Sequence, residues 1–180
     1  MIARIACSLL LGLGLHWGAW AQGRWHLHPD DQLIWRNVIA HIDNGVVRMG
    51  NSWSGEVAYT LQADAMWDET KVFQGFSTSS LDIAFTLRDN KLYLGDSAFT
   101  DAILYTYSEG QIFIGDSTFP LDVAYTLREE RRAFSTGAGD APLWGVYKED
   151  SRAWSDRVAV IEGAMDAEAI MALLAAGGWL

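Results

Sequence analysis

Between Val57 and Leu127 the chain alternates apolar and polar residues with a period of two. Ile83, Phe85 and Leu87 fall on one face of an extended segment, and Asp82, Ala84 and Thr86 on the other, as side chains two apart must in a strand. Val57, Tyr59 and Leu61 repeat the pattern, as do Ile103, Tyr105 and Tyr107, and Val123, Tyr125 and Leu127. The returning segments Leu92-Tyr93-Leu94 and Ile112-Phe113-Ile114 are apolar at every position, which predicts cover on both faces. An alternating strand paired with a wholly apolar one suits a sheet curling towards closure.

This pattern is written as a repeat. GFSTSSLDIAFTL from Gly75, GDSAFTDAILYTY from Gly95 and GDSTFPLDVAYTL from Gly115 are three copies of one phrase, and GNSWSGEVAYTL from Gly50 is a looser fourth. Such self-similarity marks a repeat architecture. Each strand ends in an aromatic residue and Thr, turns, and returns to a Gly-x-Ser corner. The turns fall at Gln62 to Thr70, Arg88-Asp89-Asn90, Ser108-Glu109-Gly110 and Arg128-Glu129-Glu130. The first is longer and carries Trp67, which accounts for its 25-residue spacing against 20 for the others. A lengthened tip on one copy is a place where function can be added.

The flanks read differently. Residues 22–32 form a polar, aromatic lead-in. A first strand is predicted from Leu33 to Ile42, with Asp43-Asn44-Gly45 as a hairpin turn and Val46 to Met49 as the return. Ser135 to Pro142 breaks the composition and ends the repeats. Leu143 to Lys148 and Arg157 to Ile161 are two more strands. Asp166 caps a helix from Ala167 to Ala176, stopped by Gly177-Gly178. That helix has only Glu168 charged, and a helix apolar all round is normally surrounded by protein or lipid. At about 15 Å it is too short for a bilayer, so burial within its own domain is expected.

These residues resemble the bacterial β-flower domains, described as four-fold β-hairpin repeats. The likeness rests on Gly-Asp-Ser, an acidic residue, two or three apolar residues, aromatic-Thr, a turn and an apolar return. It covers about Ile39 to Phe134 and is best from Gly75 to Leu127. It implies a rosette of hairpins forming a shallow barrel, and it carries over no functional residue. That architecture has been likened to tubby-like domains, whose barrel encloses an apolar helix, so by analogy Ala167 to Ala176 would fill the centre. Choline-binding repeats need recurring Trp that these copies lack, and a propeller needs about twice this period. The expected fold is therefore all-β, a rosette or shallow barrel of four to five antiparallel hairpins with a short apolar C-terminal helix. Residues 33–135 make the repeat domain, and residues 136–180 complete it.

Residues 1–21 carry Arg4, an apolar run from Ile5 to Leu15 and Ala19-Trp20-Ala21, the features of a signal peptide cleaved after Ala21. The expectation is an exported, periplasmic protein. Cys7 is the only cysteine and leaves with that peptide, so no disulfide holds the remainder. Without Arg4 the chain has 12 basic and 23 acidic residues. So acidic a chain is a poor match for nucleic acid.

Candidate chemistry is thin. Gly95-Asp96-Ser97 and Gly115-Asp116-Ser117 invite comparison with GDS-type serine hydrolases, but a serine nucleophile relies on a base such as His. His26, His28 and His41 all precede the repeats. Turn chemistry accounts better for these corners: Gly50, Gly75, Gly95 and Gly115 take the unusual dihedral, while Ser52, Ser77, Ser97, Ser117, Asp96 and Asp116 cap the corner. His26, His28 and Asp30 have an H-x-H-x-D spacing, yet without a third ligand at a defined distance no metal is assigned, and no cofactor is implied. Thr60, Thr86, Thr106 and Thr126 recur at one position and would form a ring of hydroxyls able to line a pocket, although strand propensity alone also places Thr there. Trp53 and Trp67 fall in loops, where an exposed indole can stack on a glycan or pack over a barrel rim. The reading is a non-catalytic binding or scaffolding module of the bacterial cell envelope. Its partner would be another envelope protein, a glycan or a lipid, with a small-ligand binder through Trp53, Trp67 and the Thr positions as the alternative and a hydrolase ranked last.

Overall fold

The structure is a computed structural model and describes residues 24–29, 37–130 and 141–180. The leader, Asp30, the first part of the strand predicted from Leu33 and most of the break at Ser135 to Pro142 lie outside the described residues. Twelve antiparallel strands close into a barrel. In chain order they are β1 (Trp25–Pro29), β2 (Ala40–Asp43), β3 (Val46–Met49), β4 (Val57–Asp64), β5 (Glu69–Gln74), β6 (Ile83–Arg88), β7 (Lys91–Leu94), β8 (Ile103–Ser108), β9 (Gln111–Ile114), β10 (Val123–Glu130), β11 (Leu143–Lys148) and β12 (Arg157–Glu162). Each pairs with its neighbours in sequence, and β1 closes the ring by pairing with both β2 and β12. One helix, α1 (Ala167–Ala176), follows.

The ring is the expected rosette of antiparallel strand pairs, and it holds six of them. Five are consecutive, from β2–β3 to β10–β11, and the sixth joins the last strand to the first. That unit has no hairpin of its own, so no local turn marks it. Its strand β1 falls within the stretch expected to be a lead-in. Trp25 and Leu27 of β1 are buried and alternate with His26 and His28, which carry the apolar period less visibly. Arg128-Glu129-Glu130 is not a turn either: β10 runs through it, paired with Leu143, Trp144 and Gly145 of β11. The charges are tolerated there because Arg157 donates to Glu130 at 2.6 Å and the Tyr147 hydroxyl donates to the same carboxylate at 2.8 Å. Nor do the repeats end at the break of Ser135 to Pro142, since β11, the loop after it and β12 rebuild the same unit.

The inner face of the barrel and α1 form one core. Ile42, Val47, Leu61, Val72, Leu87, Leu92, Ile112, Leu127, Val146 and Ile161 surround Ile170, Met171, Leu173 and Leu174, all essentially buried. The Asp166 carboxylate accepts from the Glu168 and Ala169 N–H groups, so the helix starts where its cap predicts. α1 packs against β1 to β4, and Thr70 of β5 donates to Glu168 at 2.6 Å. Across the barrel, Tyr125 of β10 donates to the Trp179 carbonyl. A helix apolar on all sides is stable here because strands cover it all round.

A second apolar layer lies on the outer face. Phe73, Tyr93, Phe113 and Tyr147 stand opposite Thr60, Thr86, Thr106 and Thr126 in register, and all four rings are nearly buried. The Arg88 and Arg128 guanidinium groups lie 5.1 and 4.9 Å over the Tyr93 and Tyr147 rings. This is why the returning strands are apolar on both faces.

Candidate functional site

An antiparallel barrel sends alternate connections to opposite ends. The hairpin turns, among them Asn44-Gly45, Asp89-Asn90 and Glu109-Gly110, lie at one rim. The longer corners that link one pair to the next, residues 50–56, 75–82, 95–102, 115–122 and 149–156, lie at the other.

The corners share one construction. Gly50, Gly75, Gly95 and Gly115 have φ of 74, 61, 61 and 67°, the left-handed region that glycine enters freely. The N–H at each donates back to the strand that opens its pair: Gly95 to Ala84 and Gly115 to Leu104, both at 2.8 Å. The fifth corner has Glu149 in this place, with φ of 52° and the same bond to Ala124 at 2.8 Å. Two residues on, Ser52, Ser77, Ser97, Ser117 and Ser151 each accept from the N–H two residues further along, a local turn that fixes the loop. Ser77 and Ser117 also donate to Asp82 and Asp122.

The threonines face the outer layer, and their hydroxyls are engaged at the corners. Thr60, Thr86, Thr106 and Thr126 donate to the carbonyls of Gly75, Gly95, Gly115 and Glu149 at 2.7 to 2.8 Å. Asp96 and Asp116 receive Lys71 and Lys91 from the preceding strand pair, the latter at 2.5 Å, while Gln111 reaches Asp150 at 3.3 Å. Burial pulls the Lys71 ammonium down, but its bonds to Asp96 and Glu69 outweigh this and hold its pKa above the usual value. The Asp116 bond raises Lys91 likewise. Each lysine therefore ties one unit to the next.

What the corners present outwards is apolar. Trp53, Phe76, Leu81, Phe99, Phe119, Leu121 and Trp154 are large exposed side chains, and every one sits in a corner loop. Leu81 and Leu121 are 93 % and 98 % exposed, and they occupy equivalent places six residues after Gly75 and Gly115. Trp67, by contrast, sits on the turn between β4 and β5 with Met66. Trp53 and Trp67 are thus at opposite ends of β4, roughly 25 Å apart at about 3.4 Å per residue, and are not brought together. Trp53 has Arg24 at 5.3 Å over its ring and His41 edge-on at 6.0 Å.

The three histidines among the described residues, unrelated in the repeat phrase, meet on the outer face where the ring closes. His26 lies 6.2 Å from His28 and 6.1 Å from His41, ring to ring. Glu162 of β12 is 3.8 Å from both His26 and His28. His41 takes the place of the corner threonine in its unit, its ring nitrogen 2.6 Å from the Gly50 carbonyl. Burial lowers the His26 pKa below its ordinary value, with Glu162 opposing the shift. Glu162, far away in sequence, was invisible as a neighbour of the H-x-H pair. Among the described residues no group of three or more His, Cys, Asp or Glu could hold a metal ion, and no helix is long and apolar enough to cross a membrane.

Ser97 and Ser117 lie on corners between β7 and β8 and between β9 and β10. The strand order puts these across the ring from the histidines on β1 and β2.

No curated protein and no solved structure matches the chain. A family model described as "6-fold beta flower protein" matches residues 28–142, well over half of the sequence, and its six-fold name agrees with the six strand pairs of the ring. The chain therefore belongs to the 6-fold beta flower family.

Proposed function

We propose that the protein is an exported, non-catalytic binding or scaffolding module of the bacterial cell envelope, whose partner is another envelope protein. The observation that supports this most is the filling of the barrel by its own helix: Ile170, Met171, Leu173 and Leu174 take up the core. Contacts with other molecules then fall to the outside, and the corner rim is where large apolar side chains are offered. A second reading, a glycan or small-ligand binder, draws on Trp53, whose exposed indole is held beneath Arg24. The Thr hydroxyls add little to it, since each already donates to a corner carbonyl.

The tests are separate for each part. Residues 1–21 fused to a phosphatase that is active only outside the cytoplasm should yield an active reporter. Ester substrates should not be turned over, and tryptophan fluorescence should not change on titration with cell-wall sugars. Cytoplasmic retention would sink the export reading. Ester turnover abolished in Ser97→Ala or Ser117→Ala would replace the module with a hydrolase. A sugar-dependent shift lost in Trp53→Ala would favour the second reading.

A further inference from the structure

Each strand pair meets the next at one recurring place in the register. Lys71 faces Thr86 across β5 and β6 and donates to it at 3.3 Å, and Lys91 faces Thr106 across β7 and β8. Gln111 faces Thr126 across β9 and β10 and donates to it at 3.5 Å. Val46 and Gly145 hold the same place between β3 and β4 and between β11 and β12. Between β1 and β2 the facing residues are His26 and His41. His28, opposite Val160, stands where the other pairs have Phe73, Tyr93, Phe113 and Tyr147. Three places of one interlocking set therefore hold histidine, and among the described residues histidine holds them nowhere else. Histidine is the side chain that ordinarily changes charge between about pH 5 and 8. The residue types at these places in the other joints do not.

We infer that the joint holding β1 to β2 and β12 is a pH-sensitive latch, closed while its three imidazoles are neutral and loosened when they take up protons. The packing around them leaves little room for added charge. His28 and His41 are 3 % and 4 % exposed, and neither ring nitrogen of His28 has a hydrogen-bond partner among the described residues. Charged groups approach from each neighbouring element. Glu162 of β12 lies 3.8 Å from both His26 and His28. Arg48 of β3 stands opposite His41 in register and donates to the Gly55 carbonyl at 3.2 Å. Arg24, just before β1, is 3.5 Å from Asp43 of β2, and Glu56 in the adjoining corner is exposed. The connection from β1 to β2 carries Asp30, Asp31 and Arg36 and lies outside the described residues. The Glu162 carboxylate balances one proton; a second and a third add charge that burial penalises. For His26 burial already outweighs Glu162, so the closed state takes up that proton less readily than an opened one, and acid favours opening. β1 and β12 belong to opposite ends of the sequence with no turn between them, so nothing local holds them once their side chains part. Trp25 and Leu27, buried on the inner face of β1, oppose the opening and keep it a local fluctuation.

The test is amide hydrogen exchange of the purified protein at about pH 7.5 and about pH 5, read by mass spectrometry and corrected for the slower intrinsic exchange in acid. Residues 25–28 should lose protection about tenfold at the lower pH. Residues 83–94 and 103–114, across the ring, should keep theirs. The variant His26→Gln/His28→Phe/His41→Thr rewrites the joint in the residue types of Gln111, Phe113 and Thr126, which meet where β9 joins β10, and should abolish the response. His41→Thr alone is the milder change. A threonine hydroxyl donates to the equivalent corner carbonyl in four other pairs, so the corner bond is kept while one imidazole is lost, and the response should weaken. That variant decides the matter should the triple one not fold. The latch is overturned if β1 and the far strands lose protection together, or if β1 loses none in acid. It is overturned equally if the variants keep the full response, which would place the titration on other groups such as Asp30 and Asp31.

Discussion

The fifth corner offers a two-way test of whether the six units share one backbone solution. Glu149 occupies the place held elsewhere by glycine, at φ of 52°. An L-residue in the left-handed region costs about 1–2 kcal/mol, and glycine gives back about 0.5–1 kcal/mol through its freer unfolded chain. Glu149→Gly should therefore stabilise the protein by about 0.5–1 kcal/mol. The corner bond survives, since Thr126 donates to the backbone carbonyl of residue 149. Gly115→Ala is the mirror experiment. Its φ is 67°, and nothing lies within 4 Å of where a Cβ would be, so its cost is dihedral alone, again about 0.5–1 kcal/mol but in the other direction. For a chain of this size that corresponds to Tm shifts of about 2–3 °C, up in one variant and down in the other. Thermal unfolding followed by circular dichroism resolves this. Glu149→Gln keeps the strain and removes the charge, and should change little. A lower Tm for Glu149→Gly, or equal stabilisation by Glu149→Gln, would refute the equivalence of the corners.

Three further outcomes are expected. Leu174→Ala, at a site with no solvent exposure on the enclosed helix, should cost about 3–5 kcal/mol by leaving a cavity, read from urea unfolding with an unchanged slope. Arg157→Met strands the Glu130 carboxylate beneath its neighbours and should cost about 3–5 kcal/mol, while Glu130→Leu/Arg157→Met together should be close to neutral; a double mutant as weak as the single one would contradict this. The folded pKa of His26 is lowered below its ordinary 6.5, so the folded state binds its proton less readily than the unfolded chain does. Its contribution to stability is present above pH 6.5 and is lost as pH falls from there through the lowered value, and the dependence should flatten in His26→Gln.

The repeat phrase was readable because it is written in backbone requirements. Glycine recurs where φ must be positive, serine where a loop must be pinned, and alternation where one face meets the helix. The helix bounds followed from Asp166 and Gly177 for the same local reason. What stayed hidden was written in substitutions and in distance. Glu149 stands where glycine is expected and His41 where threonine is, so units one and five lose their signature residues. Yet Ser151 and Asp156 keep the spacing of Ser117 and Asp122, a signal that was present and could have exposed the fifth corner. The sixth unit pairs residues more than a hundred positions apart, which no local pattern reports. The rim was legible only in fragments: Phe99, Phe119, Leu81 and Leu121 lie scattered through the repeat phrase, and only the ring sets them at one end.

Because the ring is sealed between its first strand and its last, the molecule has a keystone that is synthesised after every other strand. Until residues 157–162 emerge, β1 and β11 are raw edges, and until α1 follows, the interior has nothing to close upon. No N-terminal fragment is a smaller version of the whole. Assembly must therefore wait for β12 and α1, and is dominated by the slow joining of remote segments. Residues 157–176 decide whether the preceding strands become a vessel or remain an open, sticky ribbon.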